Sequence, residues 1–260
     1  MKAEKQSLFD WKLFFILLGA CIFGIIAIIP YTLTHQLDLL KEYPIPLHIL
    51  LPIQILQNVF IFAIIIFVGL YLAKKVGLGA PILEGWLEGR GIKSYLKSIW
   101  GISIALGVLT GSLIIGFDAI FTFIEPINIT QVTPPIWQSF LACFYGGINE
   151  EVIARLFLMT LLVWIFYKIK RTEEGKPTNQ GVLLAIVVTA ILFGVGHLPF
   201  AATLAPVTPL IIIRVIFLNA IGGITFGWLY WKKGLESAMI SHFFVDIVLH
   251  VFLPLLLILF

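Results

Sequence analysis

The sequence predicts an all-α fold: a polytopic bundle of transmembrane helices that crosses the bilayer about seven times. Three observations predict it, namely the bulk composition, the length of the apolar stretches and the distribution of basic residues. Hydrophobic residues make up 60% of the chain and charged residues 12%, whereas a soluble domain averages about 25% charged residues. The mean hydropathy is +1.05. No soluble fold covers that much apolar surface, so residues 1–260 read as a single integral membrane domain, with its chemistry-bearing core at about residues 137–250.

A helix needs about 20 apolar residues to span the hydrocarbon core. Stretches of that kind are predicted at Leu13–Ile29, Ile49–Ala73, Ser98–Phe117, Trp137–Tyr167, Gly181–His197, Leu210–Trp231 and Leu235–Phe260. Pro254 interrupts the last one and raises eight spans as the alternative. The final ten residues of that stretch would reach only about 15 Å as a helix, so one kinked helix is the simpler reading. The apolar start of the chain carries no A-x-A cleavage site and reads as an uncleaved first span.

Short cytoplasmic loops collect Lys and Arg. Lys2, Lys5 and Lys12 precede span one, and Lys74, Lys75, Arg90, Lys93 and Lys97 join spans two and three. Lys168, Lys170, Arg171 and Lys176 join spans four and five, and Lys232 and Lys233 join spans six and seven. These are fourteen of the 17 basic residues, while the opposite loops hold only Lys41. The N-terminus is therefore expected in the cytoplasm. The formal charge of +3 gives a nucleic-acid role no support. Cys21 and Cys143 both sit in apolar runs and read as packing residues.

Between spans two and three, Gly77–Ser94 mixes Pro81, Glu84, Trp86, Glu88 and Arg90, which suits either a helix lying on the membrane surface or a polar loop. The connection Leu198–Pro209 is apolar and proline-rich, as expected of a segment that dips into the membrane against protein. Arg214 lies close to the outer surface and reads as a snorkelling residue. His35, His48 and His250 fall near the outer interface, and Gly223 and Gly227 form a small-residue packing pattern.

Span four places Asn149, Glu150, Glu151 and Arg155 in an apolar helix. A central charge costs very roughly 2.5–3.5 kcal/mol on insertion scales, so such residues need partners or a purpose. Glu151 and Arg155, four apart, share a face and suit an ion pair, whereas Glu150 is rotated by about 100°. Two readings fit: a salt-bridged packing network, or a neutralised pair that positions Glu150 as a base in a wet cavity. Span five ends in FGVGHLP, where Gly194 and Gly196 allow close helix approach and His197 is either a packing residue or a ligand. Span seven contains SHFFVD, in which His242 and Asp246 share a face and suit an oriented imidazole, a metal or a water.

EEVIAR, FGVGH and HFFVD, in that order on three spans, resemble the EExxxR, FxxxH and Hxxx(N/D) motifs of the CPBP family. This family comprises the CAAX proteases and bacteriocin-processing enzymes, also called the ABI family, and includes the type II CAAX prenyl endopeptidases. Each motif is short, and their joint order makes the match specific. The resemblance covers approximately Phe140 to Val248. It implies an intramembrane endopeptidase in which Glu150 activates water, supported by Glu151 and Arg155, while His197 helps hold that water. It further implies that His242 and Asp246 bind a metal or stabilise the oxyanion.

The prenyl-endopeptidase branch resembles Asn at the last position. An ionised Asp cannot donate to an oxyanion, so the sequence reading leans to His197, His242 and Asp246 as ligands of a divalent metal such as zinc. The implied partners are the bilayer and a peptide or protein substrate, either a prenylated CAAX peptide or a leader peptide, and the expected location is a bacterial plasma membrane. No GxSxG elbow or HExxH helix supports another hydrolase class. A proton-coupled transporter or a non-catalytic membrane partner is the alternative, but no inverted repeat supports the transporter.

Overall fold

The structure is a computed structural model that describes residues 9–42, 44–126 and 133–259. Among these residues, seven helices are long and apolar enough to cross a membrane: Trp11–Lys41, Leu47–Val76, Lys93–Ile124, Ile136–Ile169, Asn179–Ala202, Pro209–Lys233 and Leu235–Ile258. They are spans one to seven in that order. The protein is thus an all-α integral membrane bundle. Lys2 and Lys5 of the basic N-terminus, and Phe260 at the predicted end of span seven, lie outside the described residues.

Local chemistry starts and stops these helices. The Asp10 carboxylate accepts from the N–H groups of Lys12 and Leu13 at 3.0 and 3.1 Å. The Thr178 and Thr208 hydroxyls accept from Gly181 and Ile211 at 3.1 and 3.2 Å. Each bond satisfies donors that a helix start leaves without partners. Gly77 ends span two with φ of 72°, a left-handed conformation that glycine adopts without penalty.

Span one runs on to Lys41, twelve residues past its expected end at Ile29, with Pro30 inside it. Proline removes one backbone donor, a loss that neighbouring groups absorb in a membrane helix. Span seven is likewise one helix among the described residues. Its π-turn at Ile247–Phe252 directly precedes the segment that contains Pro254, so the wider turn accommodates the ring without a second crossing.

Outward surfaces are apolar: Leu56, Phe60 and Phe123 are 70, 68 and 90% exposed, as lipid-facing side chains should be. Inside, small residues bring backbones together. A Cβ added at Gly223 would lie 2.8 Å from Ala190, and one at Gly194 would lie 2.7 Å from Ile216, so spans five and six touch along their backbones. Gly196, expected to share this role, faces open space.

Gly77–Ser94 contains a short helix, Pro81–Leu87, pinned to the base of span seven. Ile82 and Leu83 donate to Glu236 Oε1 at 3.0 and 2.9 Å, and Leu235 donates to the Gly79 carbonyl at 3.0 Å. Arg214, read as a snorkelling residue, instead donates to Asp118 through Nε at 2.7 Å and joins spans three and six. After span five's main helix, Leu198–Ala202 forms one further short helix.

Candidate active site

Span four is about 34 residues long, roughly 50 Å as a helix, well beyond a hydrocarbon core of about 30 Å. That length carries Glu150 to the depth of His242 on span seven, although the two residues sit at different distances from the loop after span four and the loop before span seven. Two π-turns, Tyr145–Glu150 and Val152–Met159, interrupt the span where its charges lie. Such turns are rare and concentrate at functional sites. Just before Glu150, the Asn149 amide donates to the Cys21 carbonyl of span one at 3.0 Å, and Gly24 makes room for it.

Glu151 and Arg155 are fully buried, and Arg155 Nε lies 3.2 Å from Glu151 Oε2. This is an ion pair by distance, yet its angle falls outside hydrogen-bond geometry, and the three Arg155 nitrogens have no hydrogen-bond partner. Two aromatic faces compensate: the guanidinium carbon lies 5.3 Å from the Phe193 ring centroid and 5.6 Å from that of Phe226. Desolvated cation–π contacts of this kind contribute about 2 kcal/mol each.

Glu151's other oxygen reaches span seven, where Oε1 accepts from His242 Nδ1 at 2.8 Å. The sequence pointed to Asp246 as the partner of His242, but Asp246 Oδ1 stands 3.7 Å from its Nε2. His242 also stacks on Phe226 with centroids 4.4 Å apart and planes 16° apart. Glu151 therefore links the arginine to the imidazole, and Phe226 braces both.

Glu150 faces the other way, as its rotation predicts. Its Oε2 stands 3.8 Å from His197 Nε2 and 3.8 Å from His242 Nε2. Both gaps exceed direct hydrogen-bond length, so any hydrogen-bonded link between these groups runs through a shared water. Its side chain is 26% exposed, while Glu151 is sealed. His197 Nδ1 bonds to the Phe193 carbonyl at 2.7 Å, and a carbonyl only accepts. That nitrogen is therefore protonated, and in neutral imidazole Nε2 presents its lone pair toward Glu150.

The structure thus brings together all six expected residues: Glu150, Glu151, Arg155, His197, His242 and Asp246. Sequence reasoning missed Phe226 and Gly146, and gave no role to Phe193, the first residue of FGVGH. A Cβ at Gly146 would run into Asp246 Oδ2 and lie 3.3 Å from His242 Nε2, so only glycine lets span four approach here. The Gly146-Gly147 pair just before the acidic motif was the available signal. Among the described residues, no group of three or more His, Cys, Asp and Glu side chains fits a metal ion. The ligand set His197, His242 and Asp246 therefore has no support in the geometry.

No curated protein and no solved structure matches the chain. One family model does match, over the segment that bears all three motifs: residues 132–248 are similar to the Rce1-like family, described as type II CAAX prenyl endopeptidase Rce1-like.

Proposed function

We propose that this protein hydrolyses a peptide bond of a CAAX-type substrate within the membrane, with Glu150 as the base for a water held between it, His197 and His242. The family of residues 132–248 supplies the peptidase class. The observation that carries the mechanism is the pair of 3.8 Å gaps from one Glu150 oxygen to two imidazole Nε2 atoms.

A water in that space gives one hydrogen to Glu150 and the other to the His197 lone pair. Glu150 takes a proton as the water attacks the scissile carbonyl, and returns it to the departing amine. In its two-donor form, His242 holds Glu151 through Nδ1 and offers Nε2–H to the developing oxyanion. Glu151 and Arg155 act through His242: they fix its orientation, and the buried pair keeps the wall of the site rigid. Asp246 flanks Nε2 and shapes the space for the oxyanion.

The uneven loop charge supports a cytoplasmic N-terminus, so the loop that joins spans four and five faces the cytoplasm as well. The test is hydrolysis of a farnesylated CAAX peptide by purified protein in nanodiscs. Glu150→Gln should lower kcat at least about 100-fold while the variant remains folded. A folded Glu150→Gln protein with full activity would remove Glu150 from the mechanism.

A further inference from the structure

Beyond the six motif residues, a second group of polar side chains gathers between spans one and seven, with Tyr31 and His35 half-buried and His250 exposed. His250 follows Asp246 by four positions on span seven, and its ring neighbours Tyr31 of span one. Four α-helical residues advance by about 400°, which overshoots the Asp246 face by about 40°. The π-turn at Ile247–Phe252 contains His250 and offsets that overshoot. Tyr31 on span one lies between the imidazoles: its ring centroid is 4.5 Å from that of His35 and 6.5 Å from that of His250. Phe200 closes the far side, 6.1 Å from His35.

His35 Nε2 is buried and has no hydrogen-bond partner. The same residue lines a cavity of about 540 Å³ with Thr34, Asp38 and Gln138. Thr34 and Gln138 bond to each other at 2.7 Å, and Asp38 is fully exposed and paired with Lys41 at 3.6 Å. An orphan buried imidazole nitrogen is unfavourable unless something meets it.

The chemistry of the proposed reaction says what would meet it. A CAAX peptide places a free carboxylate three residues beyond the scissile bond, at most about 10 Å away when extended. Around that bond the site offers three carboxylates, Glu150, Glu151 and Asp246, and its one guanidinium is sealed against Glu151. Arg214 is engaged by Asp118. Donors for an anionic terminus are found instead on Tyr31, His35 and His250.

We propose that Tyr31, His35 and His250 form the subsite that receives the substrate's C-terminal carboxylate and thereby select a C-terminal over an internal peptide bond. This rests on the peptidase reading above, so binding and hydrolysis are measured separately. A fluorescent farnesylated peptide ending in Cys-Ala-Ala-Met is prepared as the free acid and as the C-terminal amide. Each is titrated into the full-length Glu150→Gln protein in nanodiscs. The acid should bind at least tenfold more tightly than the amide, and adding His35→Gln or His250→Leu should shrink the ratio below threefold. Equal binding of acid and amide overturns the subsite, and needs no further variant. A ratio that survives both histidine substitutions overturns it too. Hydrolysis by the parent without acid preference leaves the peptidase reading standing alone, whereas acid preference without hydrolysis removes that reading and keeps the subsite.

Discussion

Glu151 Oε1 and His242 Nδ1 meet at 2.8 Å across spans four and seven, although 91 positions separate them in the chain. The same carboxylate holds Arg155, so one buried side chain serves two partners. Breaking a buried pair by removing one member typically costs about 3–5 kcal/mol. Glu151→Ala is expected to lose that much stability, and Glu151→Ala combined with Arg155→Met to recover part of it by removing the stranded cation. Thermal unfolding in detergent reads both. An additive double variant would mean that the two residues do not depend on each other.

Phe226 is stacked on His242 and lies under Arg155. Phe226→Leu keeps most of the apolar volume but loses the ring face. We expect it to lower kcat with little change in KM, because the His242 imidazole loses its brace while the substrate contacts remain. Stability should fall by about 2 kcal/mol from the lost cation–π contact. A Phe226→Leu enzyme with unchanged kcat would show that Glu151 alone orients His242.

Gly146 marks the closest approach of span four to the Asp246 carboxylate. Gly146→Ala places a methyl group against the Asp246 carboxylate and beside the His242 ring and should displace both side chains together, lowering activity more than stability. Gly196→Ala is the control, since nothing lies within 4 Å of a Cβ there. Comparable loss from both substitutions would show that helix propensity, rather than the close approach, is responsible.

Much of this arrangement is legible in the sequence because the bilayer imposes a length rule on each element. The seven spans and the shared faces of Glu151 with Arg155 and of His242 with Asp246 follow from apolar length and a period of 3.6 residues. What the sequence hides are contacts between spans. Phe226 looks like any lipid-facing aromatic, and the motif residue Phe193 shows no contact to Arg155, until the fold packs both rings around the guanidinium. The π-turns leave no periodic trace, so neither the position of His250 nor the preference of His242 for Glu151 over Asp246 was visible. The end of span one was also hidden: past the expected end at Ile29, Thr34 donates to the Pro30 carbonyl at 3.2 Å, and the helix continues to Lys41.

The distribution of basic residues predicts sidedness. Single cysteines placed at Arg171 and Lys233 should react with a membrane-impermeant maleimide only after the cytoplasmic side is opened, whereas one at Asp38 should react from outside. Labelling of the Arg171 position in intact cells would invert the topology.

The last prediction concerns Asp246, the position at which this chain carries Asp in place of the Asn of the prenyl-endopeptidase branch. Its Oδ1 stands 3.7 Å from His242 Nε2, too far for a direct hydrogen bond, and it does not converge with His197 and His242 into a group that fits a metal. If Asp246 shapes the oxyanion space, Asp246→Asn replaces an acceptor by a side chain that also donates. Removing one oxyanion donor from a hydrolase costs about 100-fold or more in kcat, so a donor gained here should leave kcat equal to or above that of the parent, and chelators should change neither enzyme. A metal ligand behaves in the opposite way, because Asp246→Asn would weaken metal binding and chelation would abolish the parent's activity. Steady-state rates before and after chelator treatment, together with metal analysis of the purified protein, separate the two. A stoichiometric metal whose loss tracks with activity would overturn the glutamate-based mechanism and restore the ligand role of Asp246.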